Sequence, residues 1–360
     1  MVGLTKKGKL LIKRNAMQPH QIFLRGLHET FNKARLQSDV VERYFKVGPY
    51  IVSMRFAGIV LANKMTPALE HLITAPAKNP SLNIFLWEGN TAQFKSIPWV
   101  NHFHKKNQPH SINILNTKTM YTTYNPLKQT LNVYDEDSHT AFFWVPDARK
   151  IHSDELTSPL QNILHKFLMP KDMFLVHAGA VGIPSGGILL AGKGGSGKST
   201  SVLSCLNSPL LYAADNCTLI TEGLNTTVFS LYSSARIHGE SLWRVPEVTS
   251  SVVNAHNLEH EKALIFLNRM NPGKLILQFP LRAIFLPHIT GKLDTSLSPA
   301  TPRDAINALL LSTVALLPQT DPHTVQKLIA IIQNVPAYHL NLGTRMEQIP
   351  RVIAQFLGKS

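Results

Sequence analysis

Gly192-Lys193-Gly194-Gly195-Ser196-Gly197-Lys198-Ser199 fills every fixed position of G-x-x-x-x-G-K-[ST], the phosphate-binding loop. The apolar run Ile188-Leu189-Leu190-Ala191 enters it and reads as a strand; Thr200 to Leu206 leaves it and reads as the first turns of a helix. Glycines let the backbone wrap an anion so that successive N–H groups point at phosphate oxygens. The helix N-terminus adds partial positive charge. The expected ATP-binding residues are therefore Gly192, Lys193, Gly194, Gly195, Ser196, Gly197, Lys198, Ser199 and Thr200. Lys198 is expected to reach the β- and γ-phosphates, and Ser199 to hold Mg2+. The competing reading, a Gly/Ser-rich turn that matches by chance, fits the strand–loop–helix setting poorly.

The helix ends near Asn207, because Ser208-Pro209 stops it. Leu210-Leu211-Tyr212-Ala213-Ala214 then reads as a short buried strand ending in Asp215-Asn216. An acid at the end of an apolar strand is where a phosphate-loop enzyme keeps its metal-side carboxylate. Here it follows the loop after one helix and one strand. That suggests a group facing the γ-phosphate, able to take a proton from an incoming hydroxyl. The alternative is a strand-end turn residue, which Asp favours anyway. Upstream, Phe174 to Val181 reads as one strand, joined to the loop strand through Ile183-Pro184-Ser185-Gly186. His177 lies inside it among small residues. It is either a satisfied core histidine or a partner that shares a proton with Asp215.

His177-Ala178-Gly179-Ala180-Val181, the loop, and Ala214-Asp215-Asn216 together resemble the HPr kinase/phosphorylase family of serine kinases, relatives of phosphoenolpyruvate carboxykinase. Leu231-Tyr232-Ser233-Ser234-Ala235-Arg236, Phe279-Pro280-Leu281-Arg282-Ala283, Val335-Pro336 with Leu342-Gly343-Thr344, Phe45-Lys46-Val47-Gly48 and Arg55-Phe56-Ala57-Gly58 carry the resemblance from about Tyr44 onward. It implies an α/β fold: a P-loop kinase domain of the HPr kinase C-terminal type over residues 151–360. A smaller, strand-rich α+β N-terminal domain over 44–150 would serve recognition or regulation, behind a basic extension over 1–43. It implies transfer of the γ-phosphoryl of ATP, with Mg2+, to a hydroxyl, often a serine of a protein or peptide. By matching position Asp215 would be the catalytic base, with His177 beside it. Lys198 would hold the phosphates and Ser199 the Mg2+. Such kinases often form hexamers, so a homo-oligomer is expected.

Two departures stand out. The family commonly has two adjacent aspartates where this chain has Asp215-Asn216; asparagine can ligate a cation but carries no charge. The glutamate of the E-I-R-G-type segment is missing from Arg236-Ile237-His238-Gly239-Glu240. Glu240 is either its substitute as a second metal ligand or an exposed loop acid. Neither HPr as acceptor nor the reverse phosphorylase reaction is therefore carried over. Arg236 and Arg282 are candidates for offsetting the negative charge that phosphoryl transfer spreads over the equatorial oxygens. A small-molecule kinase, an ATP-hydrolysing switch and a non-catalytic nucleotide sensor remain alternatives.

A chain of 360 residues can bury a full core, and 44% hydrophobic with 16% charged residues reads as globular. The net charge of +14 suits an acidic substrate such as ATP, an anionic surface, or a generally basic proteome. No nucleic-acid motif is present, so nucleic acid is not an expected partner. Cys205 and Cys217, the only two cysteines, imply no disulfide framework and read as small buried residues. Lys6, Lys7, Lys9, Lys13 and Arg14 surround only a short apolar run, which is no signal peptide. Ala305 to Leu317, interrupted by Asn307, Ser312 and Thr313, is too short to span a bilayer. A cytoplasmic protein is expected.

Phe23, Leu24, Leu27 and Phe31 recur at helical spacing and are expected to pack on their own domain. Strands are expected at 50–56, 82–87, 120–124, 129–134 and 140–145. A short helix over 67–73 would be capped by Thr66. His102, His104 and His110 lack cysteine or carboxylate support for a metal and read as a solvated loop. A helix is expected over 158–168, a mobile loop over 245–260 and a buried strand over 283–286. Thr301-Pro302 and Asp321-Pro322 open helices. A strand over 338–342 and a helix over 346–357 close the chain.

Overall fold

The structure, a computed structural model, describes residues 18–90, 110–112, 115–222, 226–317 and 321–358. His102 and His104 lie outside these, as do residues 1–17 of the basic extension. Two sheets dominate a mixed α/β fold. The first has seven strands among the described residues: β1 (Val40–Val47), β2 (Tyr50–Ala57), β3 (Leu82–Glu88), β4 (His110–Ser111), β5 (Met120–Asn125), β6 (Thr130–Asp135) and β7 (Thr140–Val145). Their order is β1-β2-β3-β7-β6-β5-β4, with β2, β3 and β7 parallel to one another. Helix α1 (Pro19–Arg35) turns Phe23, Leu27 and Phe31 onto this sheet, with Phe31 edge-on to Phe85 at 5.0 Å. The apolar stripe thus packs on its own chain, as its spacing suggests. Helix α2 (Ile59–Met65), which the sequence reading did not expect, packs its Leu61, Ala62 and Met65 into the first sheet's core.

The 3-10 turn Pro67–Leu72 replaces the expected helix. Thr66 does not cap it; its hydroxyl donates back to Ala62 O at 2.9 Å. A separate short helix, α3 (Ser153–Thr157), precedes the helix expected over 158–168, which starts only at α4 (Gln161–Leu168), after Leu160 with a left-handed φ of 58°.

The second sheet holds β8 (Met173–Val176), β9 (Ala178–Ile183), β10 (Gly186–Ala191), β11 (Leu211–Ala214), β12 (Thr218–Thr221) and β13 (Thr227–Phe229). A separate ribbon pairs β14 (Ser234–Ile237) with β15 (Ala263–Phe266). The sheet continues with β16 (Gln278–Ile289), β17 (Ser296–Pro299) and β18 (Ala337–Leu342). Its order is β11-β9-β10-β16-β13-β12-β8, with β18 also on β16 and β17 on β18. β10, β16 and β18 run parallel, so their C-terminal ends share one edge of the sheet. Loops at such an edge form a crevice that commonly takes ligands.

Helix α5 (Lys198–Ser204) leaves the phosphate-type loop; the short α6 (Leu267–Met270) follows β15. On one face of the sheet Val202 and Leu203 of α5 pack with Ile349 and Ile353 of the closing helix. On the other face lie Ala305, Leu309, Leu328 and Ile332 of the two Pro-opened helices. Those two are α7 (Pro302–Leu316) and α8 (Pro322–Gln333), and the closing one is α9 (Gln348–Leu357). Along β10, Ile188 and Leu190 face one layer while Leu189 and Ala191 face the other. Covered on both faces, the strand reads as an unbroken apolar run. Thr301 and Asp321 cap their helices, accepting from Asp304 N at 3.2 Å and Thr324 N at 3.0 Å.

The strand expected over 283–286 is part of a twelve-residue strand, β16. Residues 245–260 are not a free loop. They form 3-10 turns (Pro246–Ser251 and Ala255–Asn257) with Val245 and Val248 fully buried.

The two sheets share packing. One buried cluster joins Phe45, Val52 and Phe143 to Leu164, Phe167, Leu175 and Tyr232. Tyr232 donates to Pro159 O at 2.9 Å, Ser233 N donates to Ala68 O at 2.8 Å, and Arg269 pairs with Glu70. Among the described residues no helix is long and apolar enough to cross a membrane.

Candidate functional site

The loop from Gly192 to Gly197 joins β10 to α5 at the shared C-terminal edge. Gly197 has φ +100°, and a Cβ there would meet Leu342 Cδ1 at 2.5 Å. Both the left-handed backbone and the close approach of β18 require glycine. Lys198, 7% exposed, folds its ammonium back onto Gly192 O at 2.6 Å and Lys193 O at 3.1 Å. Burial lowers the pKa of this lysine, while Asp215 pulls the other way.

Strand β9 is antiparallel to both β10 and β11, and this places the acid and the histidine. Ala178 pairs with Ala191, so His177 sits across from Gly192. Ala214 pairs with Ala180, so Asp215 follows beside Gly179. A Cβ at Gly179 would strike Val202 Cγ2 at 2.5 Å, so its absence lets α5 lie close on β9. Ser199 Oγ then donates to Asp215 Oδ1 at 3.0 Å, and Arg236 N–H donates to Oδ2 at 3.2 Å. The Asp215 carboxyl is 2% exposed. Burial pushes its pKa above the usual carboxylate range, against the Arg236 N–H, the Ser199 hydroxyl and the charges of Lys198 and Lys262.

His177 is not inside a strand, contrary to the sequence reading. It is a bend between β8, which pairs with β12, and β9, which pairs with β10 and β11. Its N–H donates to Thr313 Oγ1 of α7 at 2.9 Å. Burial, then the charge of Lys198, holds its ring near a pKa of about 4, so it is neutral at neutral pH.

Asn216 has φ +70°. A left-handed residue here turns the chain from β11 into β12, with Cys217 N bonded to Asp215 O at 2.9 Å. Asn enters that conformation more readily than most residues, which gives it a backbone reason at this position. Glu240 is exposed on the 3-10 turn Gly239–Arg244 and bonds to neither Asp215 nor Ser199. Arg236 meets Asp215 through its backbone; its guanidinium is turned away and paired with Asp154. Arg282 lies at the opposite end of β10 from the loop, donating to Ser185 O at 2.9 Å. Strand polarity explains this: Arg282 falls where β16 passes Gly187 and Ile188, at the start of β10. Cys205 and Cys217 are buried and unpaired, as expected of them.

Two clefts flank the loop. One of about 820 Å³ opens over Gly192–Gly194 and His177, with Asp304, Asn307 and Ser312 of α7. The other, of about 590 Å³, lies over Ala191–Lys193, Gly195 and Ser196 with Pro287, His288, Ser298 and Asn341. His339 borders both.

Sequence reasoning missed three residues here: Lys262, Asn307 and Thr313. The last two did leave a signal, because they are among the polar interruptions of the apolar run of α7. Lys262, in an unpatterned segment, left none. Among the described residues no three His, Cys, Asp or Glu side chains gather as a metal site. The oxygens offered to a cation are those of Ser199 and Asp215, hard ligands that suit Mg2+ when phosphate and water complete the shell.

No protein-family model matches the chain, and no curated protein is similar to it in sequence. Among solved structures it is similar to the Hpr(Ser) kinase/phosphatase from Coxiella burnetii. The two are 9% identical over 51% of this chain and 97% of that one, with a TM-score of 0.29, a likeness from which neither fold nor activity transfers.

Proposed function

We propose that this chain is a phosphotransferase that binds ATP through residues 192–200 and passes the γ-phosphoryl to a hydroxyl. The observation that carries this reading is the 3.0 Å contact between Ser199 Oγ and Asp215 Oδ1. It joins a buried acid to the first turn of the loop's own helix, where the end of a triphosphate would lie. Loop amides and Lys198 bind the phosphates; on binding, the Lys198 ammonium exchanges its two carbonyl partners for phosphate oxygens. Ser199 is the residue that would hold Mg2+, which would neutralise phosphate charge when bound. The raised pKa of Asp215 supports its role as the base that takes the acceptor's proton. Neutral His177 borders the larger cleft and orients the acceptor. Asn216 and Glu240 are weaker candidates for the metal, since the first has a backbone reason and the second stands exposed.

The acceptor is a serine of a protein or peptide, or a small-molecule hydroxyl, entering by the cleft that His177 lines. Incubating the purified chain with Mg2+ and γ-labelled ATP plus cell extract tests this. Label on a macromolecule or metabolite, absent with Asp215→Asn, is expected. Free phosphate as the sole product would replace the reading with an ATP-hydrolysing switch, and no turnover at all would leave a nucleotide sensor.

A further inference from the structure

The phosphoryl-transfer reading leaves one charge unassigned. As the acceptor oxygen bonds to Pγ, the bond from Pγ to the bridging oxygen breaks. The electron pair leaves with ADP, and the acceptor's proton goes to Asp215. Negative charge spreads over the three equatorial oxygens during this passage, and a preorganised cation there lowers the barrier. Lys198 is already assigned to the phosphates of the bound nucleotide. The guanidinium of Arg236 is held by Asp154, and that of Arg282 lies at the far end of β10.

We propose that Lys262 supplies this cation, presented to the site from the β14–β15 ribbon. The ribbon is registered on the acid itself. Arg236, whose N–H holds Asp215, pairs with Leu264, and Ile237 pairs with Ala263. Lys262 is the next residue out. Its backbone is clamped, because Asn254 Nδ2 donates to Lys262 O at 2.9 Å while Asn254 Oδ1 accepts from Leu264 N at 2.8 Å. Asn254 is itself buried, and Val252 bridges to Ile265 beside it. The root of the lysine is therefore fixed while its side chain is half-exposed. Its ammonium makes no ion pair or hydrogen bond among the described residues. Its charge reaches His177, Lys198 and Asp215, as the smallest influence on each. The charges of Lys198 and Lys262 both favour the Asp215 carboxylate, so the site is set for an anion. An ammonium held on a flexible stem over a rigid root can follow the phosphoryl group between its two partners.

This inference rests on the proposed transfer, and the test separates the two. Wild type, Lys262→Met and Lys262→Arg are compared, as the full chain, for ATP affinity, Mg2+-dependent turnover of ATP with water as acceptor, and affinity for ADP with aluminium fluoride. In Lys262→Met, turnover is expected to fall roughly 10²–10³-fold, as on loss of one transition-state charge partner. Affinity for ADP with aluminium fluoride falls alongside it, while ATP affinity stays near that of wild type. Lys262→Arg recovers part of both. Wild-type turnover in Lys262→Met would overturn the role of the lysine alone. So would equal losses of ATP affinity and turnover in both variants, which mark a structural part. A wild type that neither turns ATP over nor prefers ADP with aluminium fluoride to ADP overturns the transfer reading and this one with it.

Discussion

Asp215→Asn separates the chemistry of the buried acid from its packing. The side chain keeps its shape. Because the Arg236 N–H is fixed and needs an acceptor, the amide oxygen turns toward it, and the amide nitrogen faces Ser199. That hydroxyl now donates at 3.0 Å and can rotate to accept instead. Geometry is thus retained while the proton acceptor is lost. General-base assistance contributes roughly 10²–10⁴ in rate, about 3–5 kcal/mol at 1.36 kcal/mol per decade. Turnover should fall by that factor with ATP binding largely kept.

Stability should move the other way. Burial outweighs the bonds and charges that favour the carboxylate, so the folded pKa lies above the unfolded value of about 3.9. A group so shifted adds stability below the unfolded value and loses it as pH rises through the folded one. Asparagine has no such loss. At pH 8 the variant is therefore expected to be at least as stable as wild type in urea unfolding, and the gap should narrow as pH falls. Turnover close to the wild-type rate would refute the base assignment. A variant clearly less stable at pH 8 would refute the electrostatic argument.

Lys198→Met removes the ammonium that now holds Gly192 O and Lys193 O. A charge-assisted bond is worth about 1.5–3 kcal/mol, so ATP affinity measured by calorimetry should drop roughly 10- to 150-fold. Gly179→Ala drives a Cβ into Val202 Cγ2 and pushes α5 off β9. Denaturant unfolding should register a loss of about 1–3 kcal/mol, with turnover lowered as Ser199 and Asp215 part. At Asp154, burial is outweighed by the charges of Lys128 and Arg236, which hold its pKa at about 2. The stability this contributes is present above about pH 4 and is lost as pH falls toward about 2. Asp154→Asn should flatten that part of the stability–pH curve.

The parts of the site legible in the sequence are those with local causes. Gly197 is demanded by a left-handed backbone, and Lys198 and Ser199 by their offset from it, so the motif carries them without tertiary information. Asp215 could be placed because β11 is short, apolar and bounded by Pro209. Thr301 and Asp321 announce their helices because a cap acts over three residues. The pattern fails where long-range packing decides. His177 sits in an apolar run that looks continuous, but its two halves join different neighbours and the bend follows from that. Val245 and Val248 are buried with no helical or strand period, so their segment looked loose. Thr66 carries a cap's side chain yet spends it on the preceding helix. Arg236 and Arg282 were candidates for their charge and through resemblance; the ion pair with Asp154 and the direction of β16 are tertiary facts. Lys262 is a lysine beside a glutamate in an unpatterned stretch, and only the ribbon brings its strand beside Arg236, whose N–H holds Asp215.

The first sheet reaches the site through charge as well as through the shared core. Lys128 stands in the turn between β5 and β6 and pairs with Asp154 at 2.9 Å. Asp154 holds the Arg236 guanidinium, and the backbone of the same Arg236 holds Asp215 at 3.2 Å. A displacement of the β5–β6 turn therefore loads the residue whose N–H fixes the acid. The bond that fixes the acid also opposes the burial that raises its pKa. Lengthening it would raise the pKa further and leave less carboxylate to accept a proton at a given pH. The first sheet thus has a physical means to tune the pKa of Asp215 from outside the two clefts. Helix α1 and strand β1 contribute to that sheet rather than standing apart.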